Sequence, residues 1–132
     1  MRKLKFIKIW LSIGWFLTGM VVYLSLIPSL PETPGFHGAD KCIHFLTYAF
    51  LMFWFGLCYK QRSRTLLTGA GLIALGIILE WIQGKTGYRE QSFFDGVANS
   101  LGVCFGWFLS GTRFSLALVY VERWLGLSKD FI

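Results

Sequence analysis

The chain is poor in charge. Only 15% of its 132 residues are charged and 55% are hydrophobic, whereas a soluble domain has about 25% charged and about 45–50% apolar residues. A chain of this length cannot bury so much apolar surface in a single core. The composition is therefore not that of a water-soluble domain, which excludes a cytosolic enzyme and a disordered protein.

Cysteine and proline are also scarce. The three cysteines, Cys42, Cys58 and Cys104, are too few and too scattered for a disulfide framework. None lies in a CxxC or Cys/His zinc spacing, so we interpret them as small apolar side chains. This excludes a secreted disulfide scaffold. The three prolines all fall in one short stretch, residues 28–34, where they mark a loop.

Long hydrophobic runs are what the sequence has instead. The first, residues 9–27, contains 19 residues without a charge, about 28 Å as a helix against a hydrocarbon core of about 30 Å. It lacks the cleavage site of a signal peptide, so we predict an uncleaved anchor. Residues 1–112 are therefore predicted to form an all-α integral membrane bundle of four transmembrane helices, at 9–27, 43–59, 66–83 and 93–112.

The basic residues predict the orientation of this bundle. Cytoplasmic segments of membrane proteins carry an excess of Lys and Arg. With the N-terminus inside, ten of the thirteen basic residues fall on inner segments, and three, Lys41, Lys85 and Arg89, fall on outer connections. The chain is predicted to be N-in/C-in with the lipid bilayer as partner. The net charge of +6 then reflects topology, and no nucleic-acid partner is expected.

The tail, residues 113–132, is predicted to lie on the cytoplasmic side. Its longest uncharged stretch, residues 114–121, has eight residues and covers about 12 Å as a helix, too little to span. We expect a short amphipathic helix lying at the membrane interface. A C-terminal cap that packs against the bundle is the alternative.

Polar residues inside the predicted spans are few and regularly spaced. A charged side chain there costs at least about 2.5 kcal/mol, so these residues indicate function. Spacings of three or four residues place them on one face of each helix. They are Asp40, Lys41, His44 and Tyr48 around the second span, Glu80 and Gln83 in the third, and Asp95 and Asn99 in the fourth.

The topology places these three faces at one depth. The second and fourth spans enter from outside and the third exits outward, so His44, Glu80 and Asn99 all lie near the outer interface. Polar faces at one depth in lipid are expected to meet around a hydrated or ligand-filled pocket open to the outside. Arg89 and Ser92, in the preceding loop, are expected at its mouth, with a snorkelling surface position as the alternative for Arg89.

Glycines predict close helix packing. Gly102-x-x-x-Gly106 has the small-xxx-small spacing that lets two helices approach. Because this pair shares a face with Asp95 and Asn99, we favour a contact within the chain. A homo-oligomer formed through Gly102 and Gly106 is the alternative.

In order and spacing, these residues resemble the VanZ-like family of small bacterial membrane proteins. The resemblance covers about residues 24–111, except that residues 84–88 are rich in glycine where an apolar or proline-containing turn is expected. The matching motifs are Leu26-x-Pro28, Asp40-Lys41-x-x-His44-x-x-x-Tyr48, Glu80-x-x-Gln83, Arg89-x-x-Ser92-x-x-Asp95 and Ala98-Asn99-x-x-Gly102-x-x-x-Gly106. The resemblance implies a multi-pass protein of the bacterial cytoplasmic membrane, associated with resistance to the glycopeptide antibiotic teicoplanin. It implies no particular reaction.

Three functions remain open for the polar residues. The first is a non-catalytic pocket that binds a lipid-linked or amphipathic ligand, such as a cell-wall precursor or a glycopeptide, whose phosphate or carboxylate meets Lys41 and Arg89. The second is a membrane enzyme acting on an envelope-lipid head group. The third is a purely structural set of interhelical hydrogen bonds, each worth about 0.6 kcal/mol.

The enzyme hypothesis names His44, Glu80 and Asp95 as candidate catalytic residues. Asp40, one turn before His44, is expected to orient its ring for acid/base chemistry. The same three residues are an alternative set of ligands for a divalent metal. One histidine with carboxylates is not a diagnostic set, however, so neither a metal site nor a cofactor is predicted.

Overall fold

The computed structural model describes residues 4–28, 38–87 and 92–127. Within these ranges the chain forms only helices, which confirms the all-α prediction. The elements are α1 (Ile7–Leu26), α2 (Ala39–Cys58), α3 (Arg62–Lys85), α4 (Phe93–Ser110), a 3₁₀ helix (Arg113–Leu116) and α5 (Ala117–Trp124).

Two helices begin earlier than the hydrophobic runs suggested. α2 starts at Ala39 and α3 at Arg62, each four residues before the predicted span. The runs were bounded where charge appears, but backbone hydrogen bonds continue a helix into its polar flank. Asp40 lies in the first turn of α2, where a carboxylate interacts favourably with the helix dipole.

α2 and α4 form the closest pair, and they run parallel. A Cβ atom at Gly102 would collide with the carbonyl oxygen of Phe45, and one at Gly106 with that of Ala49. Farther along, Gly56 of α2 lies against the side chain of Ser110. The glycines of α4 are therefore used within the chain, and α2 covers the face on which the homo-oligomer alternative depends.

α3 packs antiparallel to α4 through its own glycines. Gly76 lies beside Asn99 and Tyr48, and Gly69 beside Met52 and Val103. α1 lies along α2 and α3. At its end the carbonyl oxygen of Ser25 accepts a hydrogen bond of 2.7 Å from Nε2 of Gln83.

The distribution of large side chains matches a membrane environment. Many bulky apolar residues point outward, among them Phe16, Leu67 and Phe93, the last 80% exposed. A soluble protein rarely exposes such continuous apolar surface. α1, α2 and α3 are long and apolar enough to cross a membrane; α4 passes the same test only together with the tail, from which it is bent by 71°. The helices thus provide three or four candidate spans.

The tail packs against the bundle, which is the second of the two arrangements expected for it. Leu118 is buried with Leu57 and Cys58 at the end of α2. Glu122, only 1% exposed, accepts hydrogen bonds from the backbone N–H of Lys5 (2.9 Å), that of Phe6 (3.1 Å) and Nε1 of Trp10 (2.7 Å). We call this part of the bundle the tail end. The opposite face of α5 exposes Tyr120 and Trp124.

The donors around Glu122 keep it ionised. Burial alone would raise the pKa of this carboxyl, but the hydrogen bonds from Lys5, Trp10 and Phe6, with the charge of Lys5, outweigh it and hold the pKa below its ordinary value of 4.5. Glu122 thereby joins both termini of the described chain.

Candidate functional site

Three ionisable side chains from three helices meet where α2 and α4 begin and α3 ends. They are His44 of α2, Glu80 of α3 and Asp95 of α4, and one potential ligand atom from each lies within 4.8 Å of the others. Glu80 and Asp95 are buried, 6% and 8% exposed. We call this group, together with Lys41 and Asn99, the polar cluster. The sequence predicted this meeting from helical spacing and topology.

The ring of His44 is held by Asn99. Nδ1 of His44 lies 3.1 Å from Oδ1 of Asn99, and because an amide oxygen only accepts, Nδ1 carries the hydrogen. Nε2 then faces Oδ2 of Asp95 at 3.9 Å, too far for a hydrogen bond. Asn99 is 2% exposed, so the tautomer of His44 is set from within the bundle.

Asp40 does not orient His44, contrary to the prediction. Its side chain is 61% exposed and lies 3.4 Å from Nζ of Lys41. At the start of α2 a carboxylate is better solvated pointing outward, and the close contact of α2 with α4 brings Asn99 to the imidazole instead. Lys41 reaches inward too: its Nζ lies 3.5 Å from Oδ1 of Asp95.

The other predicted site residues have different surroundings. Tyr48 is buried beside Gly76, close enough to Glu80 for electrostatic interaction with its phenol. Gln83 is buried, but its amide donates to α1 and so serves packing. Ser92 precedes α4 as its N-cap residue, without a side-chain capping bond. Arg89 lies outside the described residues.

A groove between α3 and α4 leads to the polar cluster. Its volume is about 450 Å³, and Glu80 and Ser92 are among its lining residues. Its wall residues Ile77, Phe93 and Leu101 are exposed, so the groove opens on the apolar side of the bundle. Its size suits a small-molecule ligand or a lipid segment.

The sequence contained a signal for this groove that our prediction missed. Four small residues recur on α4 and just before it at intervals of four and line the groove: Ser92, Gly96, Ser100 and Cys104. They form a second stripe of small residues, on a face different from that of Gly102 and Gly106. Small side chains on a membrane-facing helix leave room beside it, so this stripe predicts a groove.

A second cavity, of about 460 Å³, lies between the far ends of α2, α3 and α4. Lys60, Arg62 and Trp107 line it, and the guanidinium of Arg62 lies 5.8 Å from the centre of a Trp107 ring. No carboxylate is among its lining residues. The lining of this cavity contains basic side chains, whereas the lining of the groove contains Glu80. Variants of this cavity therefore serve as controls for ligand binding in the groove.

The polar cluster combines groups suited to a polar head group. The two buried carboxylates can accept hydrogen bonds from a ligand, and Lys41 can donate to an anion. His44 presents its Nε2, while its Nδ1 is held by Asn99. The adjoining groove has apolar walls. A polar cluster beside an apolar groove therefore matches an amphipathic ligand, which has a polar head group and an apolar chain.

Comparison with known proteins gives no match: no family profile, no curated protein and no solved structure is significantly similar to the chain.

Proposed function

We propose that this protein crosses the bacterial cytoplasmic membrane four times, N-in and C-in, and binds a lipid-linked envelope precursor at the polar cluster. α4 is then the fourth span, and the polar cluster lies in the outer half of the membrane. The excess of basic residues on the inner segments supports this orientation. The VanZ-like order of motifs supports the envelope location and a connection with tolerance to glycopeptides such as teicoplanin.

One observation carries the proposal: a polar cluster built from three helices adjoins an apolar groove that opens sideways between α3 and α4. A lipid enters such a groove from the bilayer with its chain along Ile77 and Leu101. Its head group then reaches Glu80 without leaving the membrane. Sugar hydroxyls or amines match the carboxylates, and a phosphate matches Lys41.

The structural explanation accounts for these residues less well. Burying the two carboxylates Glu80 and Asp95 is costly, whereas a membrane hydrogen bond returns only about 0.6 kcal/mol on average. The contacts of Asp95 with Lys41 and His44 are 3.5 and 3.9 Å long. Packing alone does not require a carboxylate with such long contacts.

Native mass spectrometry with undecaprenyl phosphate tests this function. We expect one bound lipid per chain of the wild-type protein in mild detergent. Lys41→Gln, which removes the cation of the polar cluster, should weaken binding at least about tenfold, the change expected for about 1.4 kcal/mol. Lys60→Gln, which removes a cation of the second cavity, is the matched control and should bind normally. Equal loss in the control, or no loss in Lys41→Gln, would reject the proposal.

A second candidate function is acid/base catalysis on the same head group. It is favoured by the held tautomer of His44, because a general base needs a defined lone pair directed at its substrate. Turnover of a lipid-linked precursor by the purified protein, lost in His44→Gln, would establish this function. Binding without turnover would leave the protein as a binder.

A further inference from the structure

We propose that His44, Glu80 and Asp95 form a binding site for one divalent transition-metal ion, with Zn²⁺ as the best-matched cation. This inference concerns the ion alone and stands or falls independently of the lipid proposed above. It also takes up an alternative that the sequence left open, in which these three residues were possible ligands for a divalent metal although no metal site was predicted.

The geometry supplies the first argument. One donor atom from each side chain lies within 4.8 Å of the others, and ligands of tetrahedral Zn²⁺, at about 2.0–2.2 Å from the ion, are roughly 3.3–3.6 Å apart. Side-chain rotations that move each donor atom by about 1 Å or less would bring the three atoms to the spacing of zinc ligands. The three residues come from three different helices, so the ion would be enclosed by the bundle and not held by one flexible segment.

Asn99 supplies a second, independent argument. A metal-binding histidine donates its other ring N–H to a carbonyl or carboxylate oxygen, which fixes the tautomer and orients the ring. His44 has this arrangement: Nδ1 donates to Asn99 Oδ1 at 3.1 Å, and Nε2 points toward Asp95 Oδ2 at 3.9 Å. In the tautomer with its hydrogen on Nδ1, Nε2 carries a lone pair. Nε2 and Oδ2 of Asp95 are then two acceptors that face each other. Their distance is too long for a hydrogen bond and suits a shared cation.

The surroundings of Asp95 supply the third argument. Asp95 is buried, and Nζ of Lys41 lies 3.5 Å from its Oδ1. Oδ1 of Asp95 is itself buried and accepts no hydrogen bond within the described part of the chain. A cation bound by Asp95 would give this buried carboxylate a contact shorter than those it makes with Lys41 and His44, at 3.5 and 3.9 Å.

The ligand types indicate which ion. Imidazole together with carboxylates suits Zn²⁺, whereas Mg²⁺ prefers oxygen ligands and gives up its water reluctantly. Water, or a ligand oxygen from the groove, would complete the coordination. His44 is 24% exposed at its side chain, which leaves an entry path for the ion from the end of the bundle.

The test uses tag-free full-length protein in detergent, stripped with EDTA and titrated with ZnCl₂. After desalting, elemental analysis should find one zinc per chain, and the melting temperature should rise with zinc concentration. MgCl₂ should give neither effect. His44→Gln, Glu80→Gln and Asp95→Asn should each weaken zinc binding at least tenfold. Asp40→Asn changes an exposed carboxylate that is not one of the three ligands, and it should bind zinc as the wild type does.

Wild-type protein alone also decides the question, in case a site variant fails to fold. Co²⁺ in place of zinc should give the visible absorption of a low-symmetry nitrogen–oxygen site, and added Zn²⁺ should displace it. Absence of this spectrum with less than one retained zinc per chain would overturn the proposal. So would a loss in Asp40→Asn as large as that in Asp95→Asn, because it would show surface binding of the metal.

Discussion

Two buried carboxylates lie at opposite ends of the bundle, and their surroundings differ. Glu122, at the tail end, accepts three N–H groups at 2.7–3.1 Å. Asp95, in the polar cluster, has Lys41 at 3.5 Å and His44 at 3.9 Å. A buried carboxylate with short, complete hydrogen bonds stabilises a fold, whereas one with long contacts contributes less. The comparison indicates that Glu122 stabilises the tail end, and it is consistent with the ligand binding that we propose for the polar cluster.

Gly102→Leu should have the largest effect, because it disrupts the helix pair on which both ends depend. Its side chain would collide with the backbone of α2 at Phe45, and we expect a loss of about 3 kcal/mol or more. Size-exclusion chromatography and thermal melting in detergent measure this loss. Gly71→Leu is the control, since a Cβ there meets nothing within 4 Å. Similar melting of the two variants would show that the α2–α4 contact is not essential.

Glu122→Ala should have the next largest effect. It leaves buried donors of Lys5, Phe6 and Trp10 without their acceptor, and we expect a loss of about 2–3 kcal/mol in unfolding free energy. Glu122→Gln retains one acceptor oxygen and should recover part of this loss. Thermal melting checks both variants. An unchanged melting temperature in Glu122→Ala would remove the contrast between the two ends.

Asp95→Asn should change stability little, by no more than about 1 kcal/mol in either direction. The buried charge disappears, and Lys41 keeps Asp40 as its ion-pair partner. A carboxylate with contacts as long as these contributes little to stability, so its replacement by a neutral side chain of the same shape costs little. The same melting assay applies. A loss as large as that of Glu122→Ala would make Asp95 a structural residue.

Acid should affect the tail end in a smaller, graded way. The pKa of Glu122 is lowered in the folded protein, so its contribution is complete above the unfolded value of about 4.5 and is lost as pH falls through the lower, folded value. Melting temperatures between pH 7 and pH 3 should therefore fall more steeply for the wild type than for Glu122→Gln. Parallel curves would show that Glu122 does not contribute in this way.

Helical periodicity was enough to predict where the polar residues meet. His44, Glu80 and Asp95 are rare polar residues in apolar helices, and their position along each helix fixes their depth once the topology is known. The glycines Gly102 and Gly106 likewise showed where α4 approaches a neighbour. Both inferences depend only on regular geometry within a helix.

The partner of His44, the burial of Glu122 and the groove could not be predicted in this way, because they depend on contacts between helices. The partner of His44 is Asn99 rather than Asp40 because two parallel helices approach closely at the glycines, which spacing within α2 does not show. Glu122 is buried because it meets the backbone of residues 5 and 6, more than a hundred positions earlier. The groove was visible as the repeat Ser92, Gly96, Ser100 and Cys104, but only the placement of α3 beside it makes it a cavity.

Photocrosslinking tests the central claim most directly, because the two cavities lie at opposite ends of the same bundle. A photoreactive undecaprenyl phosphate analogue is bound to the wild-type protein, irradiated, and the labelled peptides are identified by mass spectrometry. We expect label on the groove residues of α3 and α4, within 77–80 and 92–104, and its loss in Lys41→Gln. Label confined to the second cavity, within 56–65 and 107–112, would contradict the central claim.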